Sequence, residues 1–190
     1  MFTKILIANR GEIACRIMRT AKRMNLNTVA VYSEADADGL HVRIADEAYC
    51  IGGAASSESY LRADAIVEVA RRTGADAIHP GFGFLSENAE FARQVREAGI
   101  AFIGPPETAI QAMGDKIESK QLAKQAGVNT IPGHTAALKD ADEAVSVARD
   151  IGFPVMLKAS AGGGGKGMRV VHAEAEVRDG FNAAASEAIS

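Results

Sequence analysis

Ile5-Leu6-Ile7-Ala8-Asn9-Arg10-Gly11-Glu12-Ile13-Ala14 opens the chain with four apolar residues, a polar turn and the start of a helical period. An apolar run that passes through a single glycine into a helix is the first half of a parallel crossover. The helix predicted over 11–24 keeps Ile13, Ile17, Ala21 and Met24 on one face, and Thr28 to Tyr32 reads as the second strand. The alternation continues outward. A short helix at 41–45 precedes a strand at 48–51, a helix over 61–72 stops at Gly74, and Ala75 to His79 forms the fourth strand. A helix over 87–98, ended by Gly99, leads to a fifth strand at 100–103, closed by Gly104-Pro105-Pro106. These residues predict an α/β fold: a doubly wound parallel sheet over 1–103 with helices on both faces.

Beyond residue 103 the rhythm changes. Two helical segments, 107–113 and 116–126, follow with no strand between them, so 104–130 reads as a helical connector. A smaller α/β element then spans 131–190, with a helix at 141–150, strands at 154–158 and 168–171 around a glycine run, and a helix from Glu174 onward. That element is too small to enclose much core, so the chain is expected to be an incomplete piece of a longer protein.

With 190 residues, 47% of them hydrophobic and 24% charged, the composition is that of a soluble globular chain and excludes disorder, collagen and coiled coil. A net charge of −3 argues against nucleic acid and anionic lipid as partners. No apolar run approaches the roughly 18 residues of a membrane span, and no signal-peptide core follows Met1, so a cytoplasmic location is expected. Cys15 and Cys50 read as buried free thiols, His41 and His134 as surface residues, and Arg16, Arg19 and Arg23 as a solvated helix face.

Four motifs carry chemistry. Lys158-Ala-Ser-Ala-Gly-Gly-Gly-Gly-Lys166-Gly167 places a strand-end lysine before a run whose backbone N–H groups can cradle an anion, with Lys158 and Lys166 adding positive charge. Nucleotide phosphates fit it. A Walker A loop does not, since Gly167 follows Lys166 where a hydroxyl residue would be needed. The loop 162–167 is expected to be the most mobile in the chain. His79-Pro80-Gly81-Phe82-Gly83-Phe84-Leu85-Ser86-Glu87-Asn88 lies at the carboxyl end of the fourth strand, where open α/β sheets bind ligands. Ser86 or Asn88 can cap the next helix, with Glu87 in its first turn, while the Pro-Gly-Phe-Gly turn suits the wall of a binding site. Asn9-Arg10-Gly11 has the place of a dinucleotide fingerprint but one glycine of three, with Glu34 the candidate acid of an NAD reading. Lys116, in Met113-Gly-Asp-Lys116, reads by itself as solvated.

Taken together, residues 7–14, 79–88, 102–105, 113–116 and 158–169 resemble the motifs of the biotin carboxylase family, in order, over residues 4–171. The resemblance implies a Rossmann-like first domain, the helical connector and an incomplete ATP-grasp flap subdomain. It implies the N-terminal part of the biotin carboxylase unit of an acyl-CoA or pyruvate carboxylase, an ATP-dependent ligase. Its cofactors would be ATP, Mg2+ and biotin on a carrier domain; its other partners bicarbonate and a carboxyltransferase subunit or domain. By the same resemblance Lys116 and Lys158 are ATP lysines, and Gly163, Gly164, Gly165 and Lys166 form the flap over the phosphates. Glu87 stands in a wall of the bicarbonate and biotin site, Phe82 replaces a tyrosine common in relatives, and Arg16 and Arg19 face a homodimer interface. The metal ligands and general base of the family lie beyond this chain's last residue, so no catalytic residue or metal ligand is expected within it and the piece alone is expected to be inactive. A carbamoyl-phosphate synthetase half, another ATP-grasp ligase, and a Rossmann NAD-binding oxidoreductase are the alternative readings.

Overall fold

The structure is a computed structural model that describes residues 2–114, 116–131, 133–134, 136–158 and 167–189, in two compact units, 1–114 and 115–190. The expected mobile loop at 162–167 falls, but for Gly167, outside the described residues.

The first unit alternates β1 (Lys4–Ile7), α1 (Gly11–Arg23), β2 (Asn27–Ser33), α2 (Leu40–Ile44), β3 (Glu47–Gly52), α3 (Ala63–Thr73), β4 (Ala77–His79), α4 (Ala89–Glu97), β5 (Ala101–Phe102) and α5 (Glu107–Gly114). The five strands form one sheet in the order β3-β2-β1-β4-β5. All are parallel, as the sequence predicts. β1 is central and apolar from Ile5 on because both its faces are covered. Ile5 and Ile7 pack with Ala14, Ile17, Met18 and Ala21 of α1, whereas Leu6 and Ala8 point to the opposite core with Ile66 and Ala70 of α3 and Phe91 and Val95 of α4. The order reverses between β1 and β4, which opens a crevice at their carboxyl ends.

The amino ends of the same strands are clasped by two carboxylates. Asp76 Oδ2, just before β4, accepts from Thr3 N at 2.7 Å, Thr3 Oγ1 at 2.8 Å and Lys4 N at 3.0 Å. Asp46 Oδ2, just before β3, accepts from Thr28 N at 2.8 Å and Thr28 Oγ1 at 2.7 Å. Each clasp ties the start of one strand to its neighbour, and the hydrogen bonds it accepts hold the carboxyl below its ordinary pKa.

Three sequence expectations need correction. Met24 lies beyond the end of α1 and is exposed, because Asn25 takes a left-handed φ of 58° that turns the chain out of the helix. Cys50 is exposed on β3, one of the two edge strands of the sheet, while Cys15 is buried as expected. His41 is buried, not superficial.

In the second unit α6 (Lys116–Gln125) is followed by α7 (Ala141–Ile151), the antiparallel pair β6 (Val155–Lys158) and β7 (Met168–Val171), and α8 (Val177–Ile189). Val155 and Val171 pack with Ala144 and Ala148 of α7 and Val177 of α8 in a small core. Asp140 caps α7, accepting from Glu143 N at 2.8 Å. Among the described residues no helix is long and apolar enough to cross a membrane.

Candidate functional site

The crevice between β1 and β4 is built by the two segments that leave those strands. Ala8 N still donates to His79 O at 2.9 Å, so the pairing runs one residue past the strand ends. Asn9 then turns inward and is buried; its Nδ2 donates to Pro80 O and to Phe82 O, each at 2.8 Å, and its Oδ1 accepts from Arg10 N at 2.9 Å. One side chain therefore fixes the path of residues 80–82. Gly81 is required beneath it: φ is 69°, and a Cβ there would lie 2.8 Å from Asn9 Nδ2. Gly81 N donates to His79 Nδ1 at 3.1 Å, which makes that nitrogen an acceptor and places the neutral ring's proton on Nε2. Burial holds the His79 pKa below its ordinary value, and the charge of Arg16 adds to the effect.

The far end of the same turn is held differently. Gly83 and Phe84 both lie in the left-handed region, at φ 66° and 43°, and for a phenylalanine that backbone costs roughly 1–3 kcal/mol. Leu85 anchors the turn in the core, and the Phe84 ring stacks on Tyr60 with centroids 5.0 Å apart and planes 15° from parallel. The Arg10 guanidinium lies over both rings, 5.4 Å from Tyr60 and 5.7 Å from Phe84. Asp36 closes the cluster. Its Oδ2 accepts from Tyr60 Oη at 2.6 Å, Ser33 Oγ at 2.8 Å and Arg10 Nη1 at 3.0 Å, and the Tyr60 hydroxyl in turn accepts from Ser33 N at 2.9 Å. Burial pushes the Asp36 carboxyl up, but these hydrogen bonds outweigh it and hold it below the usual carboxylate range. Burial and the Asp36 bond push the Tyr60 hydroxyl up to about 12.

His41 is fully buried beside this cluster, and neither ring nitrogen has a partner in hydrogen-bonding geometry. Burial lowers its pKa against weaker upward pulls from the Asp36 charge and the Val31 backbone.

Of the predicted site residues, Phe82 is 61% exposed. Glu87 is exposed but precedes α4; the acid in the first turn is Glu90, and the cap is Asn88, whose Oδ1 accepts from Phe91 N at 2.8 Å. Arg16 and Arg19 are exposed on α1. Glu34 is exposed, and the acid after β2 that does engage the β1 turn, Asp36, is bonded to Arg10, Ser33 and Tyr60. That arrangement occupies Asp36 and puts a guanidinium over the turn where a dinucleotide would need bare glycine backbone. Asn9, Asp36 and Tyr60 were missed as site residues; only the Asn9-Arg10-Gly11 turn signalled any of them.

In the second unit Lys158 ends β6, opposite Met168, and is exposed. Met156 pairs with Val170 two residues back, so Met156, Lys158, Met168 and Val170 share the face of the pair turned away from the small core. An apolar strip ending in a cation suits a planar base joined to phosphates. On the other face Glu187 of α8 accepts from Gly167 N at 3.2 Å and pairs with Arg169. Lys116 is the first residue of α6. Gly163, Gly164, Gly165 and Lys166 lie outside the described residues. Among the described residues no group of three His, Cys, Asp or Glu side chains is arranged to hold a metal ion.

The biotin carboxylase N-terminal domain family matches residues 1–110, and the carbamoyl-phosphate synthase L chain ATP-binding domain family matches residues 115–190. The chain is 61% identical over its whole length to the mitochondrial propionyl-CoA carboxylase alpha chain of Rattus norvegicus, of which it covers 26%. It covers all of itself and 42% of the biotin carboxylase of Campylobacter jejuni, solved as a β,γ-ATP complex, at 50% identity and a TM-score of 0.91. The biotin carboxylase domain dimer of the Hydrogenobacter thermophilus 2-oxoglutarate carboxylase, solved with MgADP, ADP and bicarbonate, matches with the same coverage at 51% identity and a TM-score of 0.88. The chain spans about a quarter of the length of the propionyl-CoA carboxylase chains it matches.

Proposed function

The chain belongs to the biotin carboxylase family, and on that premise we propose that it is the N-terminal part of an ATP-dependent ligase that uses ATP and bicarbonate to carboxylate biotin on a carrier protein, the first half-reaction of an acyl-CoA or related carboxylase. The observation that carries this reading is the turn 79–88, locked by Asn9 at the switch point of the sheet with Phe82 presented outward. It occurs in a chain whose second unit displays Lys158 on an open apolar face. In this reading 1–103 is the Rossmann-like domain, 104–130 the connector and 131–190 the flap subdomain.

Lys116 and Lys158 hold the nucleotide, Gly163 to Lys166 close over its phosphates, and Glu87 with Phe82 walls the place where bicarbonate and biotin meet. We place the carboxylates that hold the ATP-bound magnesium elsewhere in the carboxylase. Exposed Arg16 and Arg19 on α1 suit a homodimer surface, and the carboxyltransferase and biotin carrier remain the other partners. The two free cysteines support a reducing compartment such as the cytoplasm.

The test is bicarbonate-dependent ATP hydrolysis by the full-length carboxylase. Lys158→Met and Lys116→Met each remove a charge-assisted contact of about 1.5–3 kcal/mol, a ten- to hundredfold loss in nucleotide affinity or turnover. The 190 residues alone are expected to release no phosphate. Unchanged kinetics in both mutants defeats the lysine assignment, and robust turnover by the piece alone defeats the placement of the active site.

A further inference from the structure

We propose that Tyr60, with Arg10 and Asp36, is a positioning device for the acceptor wall, holding Phe84 in its left-handed backbone so that Phe82 and Glu87 keep their places. The proposal deepens the functional reading above and rests on it. Besides Leu85 in the core, the turn 79–88 has two fastenings by polar and aromatic side chains. Asn9 binds the carbonyls of Pro80 and Phe82 at its start. Among the described residues no side chain binds the backbone of Phe84 in that way, and there the backbone at φ 43° would relax toward the ordinary region if the ring were released. The ring is held at the margin of the larger core, by the stack on Tyr60 and by Arg10.

Tyr60 is itself immobile: it is 1% exposed, and its hydroxyl is gripped between Ser33 N and Asp36 Oδ2. Arg10, one residue after Asn9, is steered over the two rings by the same carboxylate oxygen. Residues that follow β1 and β3, Arg10 and Tyr60, therefore meet on one aromatic ring of the turn that follows β4, and Asp36, after β2, bonds both. Arg10 is a strand-end cation near a ligand crevice, and its engagement with Asp36 and the rings assigns it to the turn and away from phosphate.

The experiment compares Tyr60→Leu, which removes the stacking ring, and Tyr60→Phe, which keeps it, with wild type in the full-length carboxylase. Hydrogen exchange over 80–91 reads position; the KM for free biotin against the KM for ATP reads what is positioned. We expect Tyr60→Leu to raise exchange in 80–91 while the β1 and β2 peptides hold, and to raise the KM for biotin about tenfold with the KM for ATP within twofold. Tyr60→Phe should recover most of the biotin effect. Unchanged exchange in Tyr60→Leu overturns the positioning role. Raised exchange with an ATP KM that rises alone or in step with that for biotin overturns the acceptor assignment. If the wild-type enzyme shows no biotin-stimulated hydrolysis, the functional reading itself fails, and the exchange result still decides whether Tyr60 holds the turn.

Discussion

Two glycines of the site separate backbone conformation from crowding. Gly81 and Gly83 have nearly the same φ, 69° and 66°, yet a Cβ on Gly81 meets Asn9 Nδ2 at 2.8 Å while one on Gly83 meets nothing within 4 Å. Gly83→Ala should cost only the left-handed penalty, about 1–2 kcal/mol, and Gly81→Ala more, since it also unseats Asn9 from two carbonyls. Urea unfolding of both variants checks the order. His41 makes a pH prediction. Its folded pKa lies below the ordinary 6.5, so as pH falls beneath that value the unfolded state takes up the proton first and stability falls. His79 acts in the same direction. The urea midpoint should therefore be lower at pH 5.5 than at 7.5, and His41→Leu should shrink that difference; an undiminished difference would show that His41 does not titrate this way. The sequence hid His41 because α2 is only five residues long, too short for a periodic face, and turned its histidine inward while leaving Leu40 49% exposed. Asn9 was legible as part of a turn, but its two carbonyl partners lie more than seventy residues away and no local pattern names them.

At the scale of elements, the order and type of all five strands could be read from apolar runs and glycine stops, and what shifted were the ends. β4 begins at Ala77 rather than Ala75 and ends at His79 as expected, since Pro80 has no N–H to continue a ladder. α3 begins at Ala63, later than its periodicity suggests, because a 3-10 turn at Ser56–Glu58 and the burial of Tyr60 beneath the site come first. That tertiary demand on Tyr60 has no signature in a helical period. The start of α4 was ambiguous between two caps, and the geometry selects Asn88. Asn88→Ala should cost about 1 kcal/mol and Ser86→Ala a few tenths, read as the shift in thermal midpoint of the first unit. Equal shifts would contradict the cap assignment.

Over the whole molecule the two units differ in the core each can draw on. Among the described residues the first has buried clusters of sixteen and eight residues and the second a single cluster of five. The second should unfold first, and the chain offers a built-in way to see it. All three tyrosines, Tyr32, Tyr49 and Tyr60, lie in the first unit and there is no tryptophan. Tyrosine fluorescence should hold steady while far-ultraviolet circular dichroism already declines with urea; coincident curves would mean one cooperative unit. The carboxylate clasps of Asp46 and Asp76 grip the amino ends of the strands, while the crevice opens at the carboxyl ends. Strand register is thus secured at the rim remote from the crevice, so the exposed positions Phe82 and Glu87 can be varied without disturbing it. A library randomised there can search for new acceptors while the sheet beneath keeps its alignment.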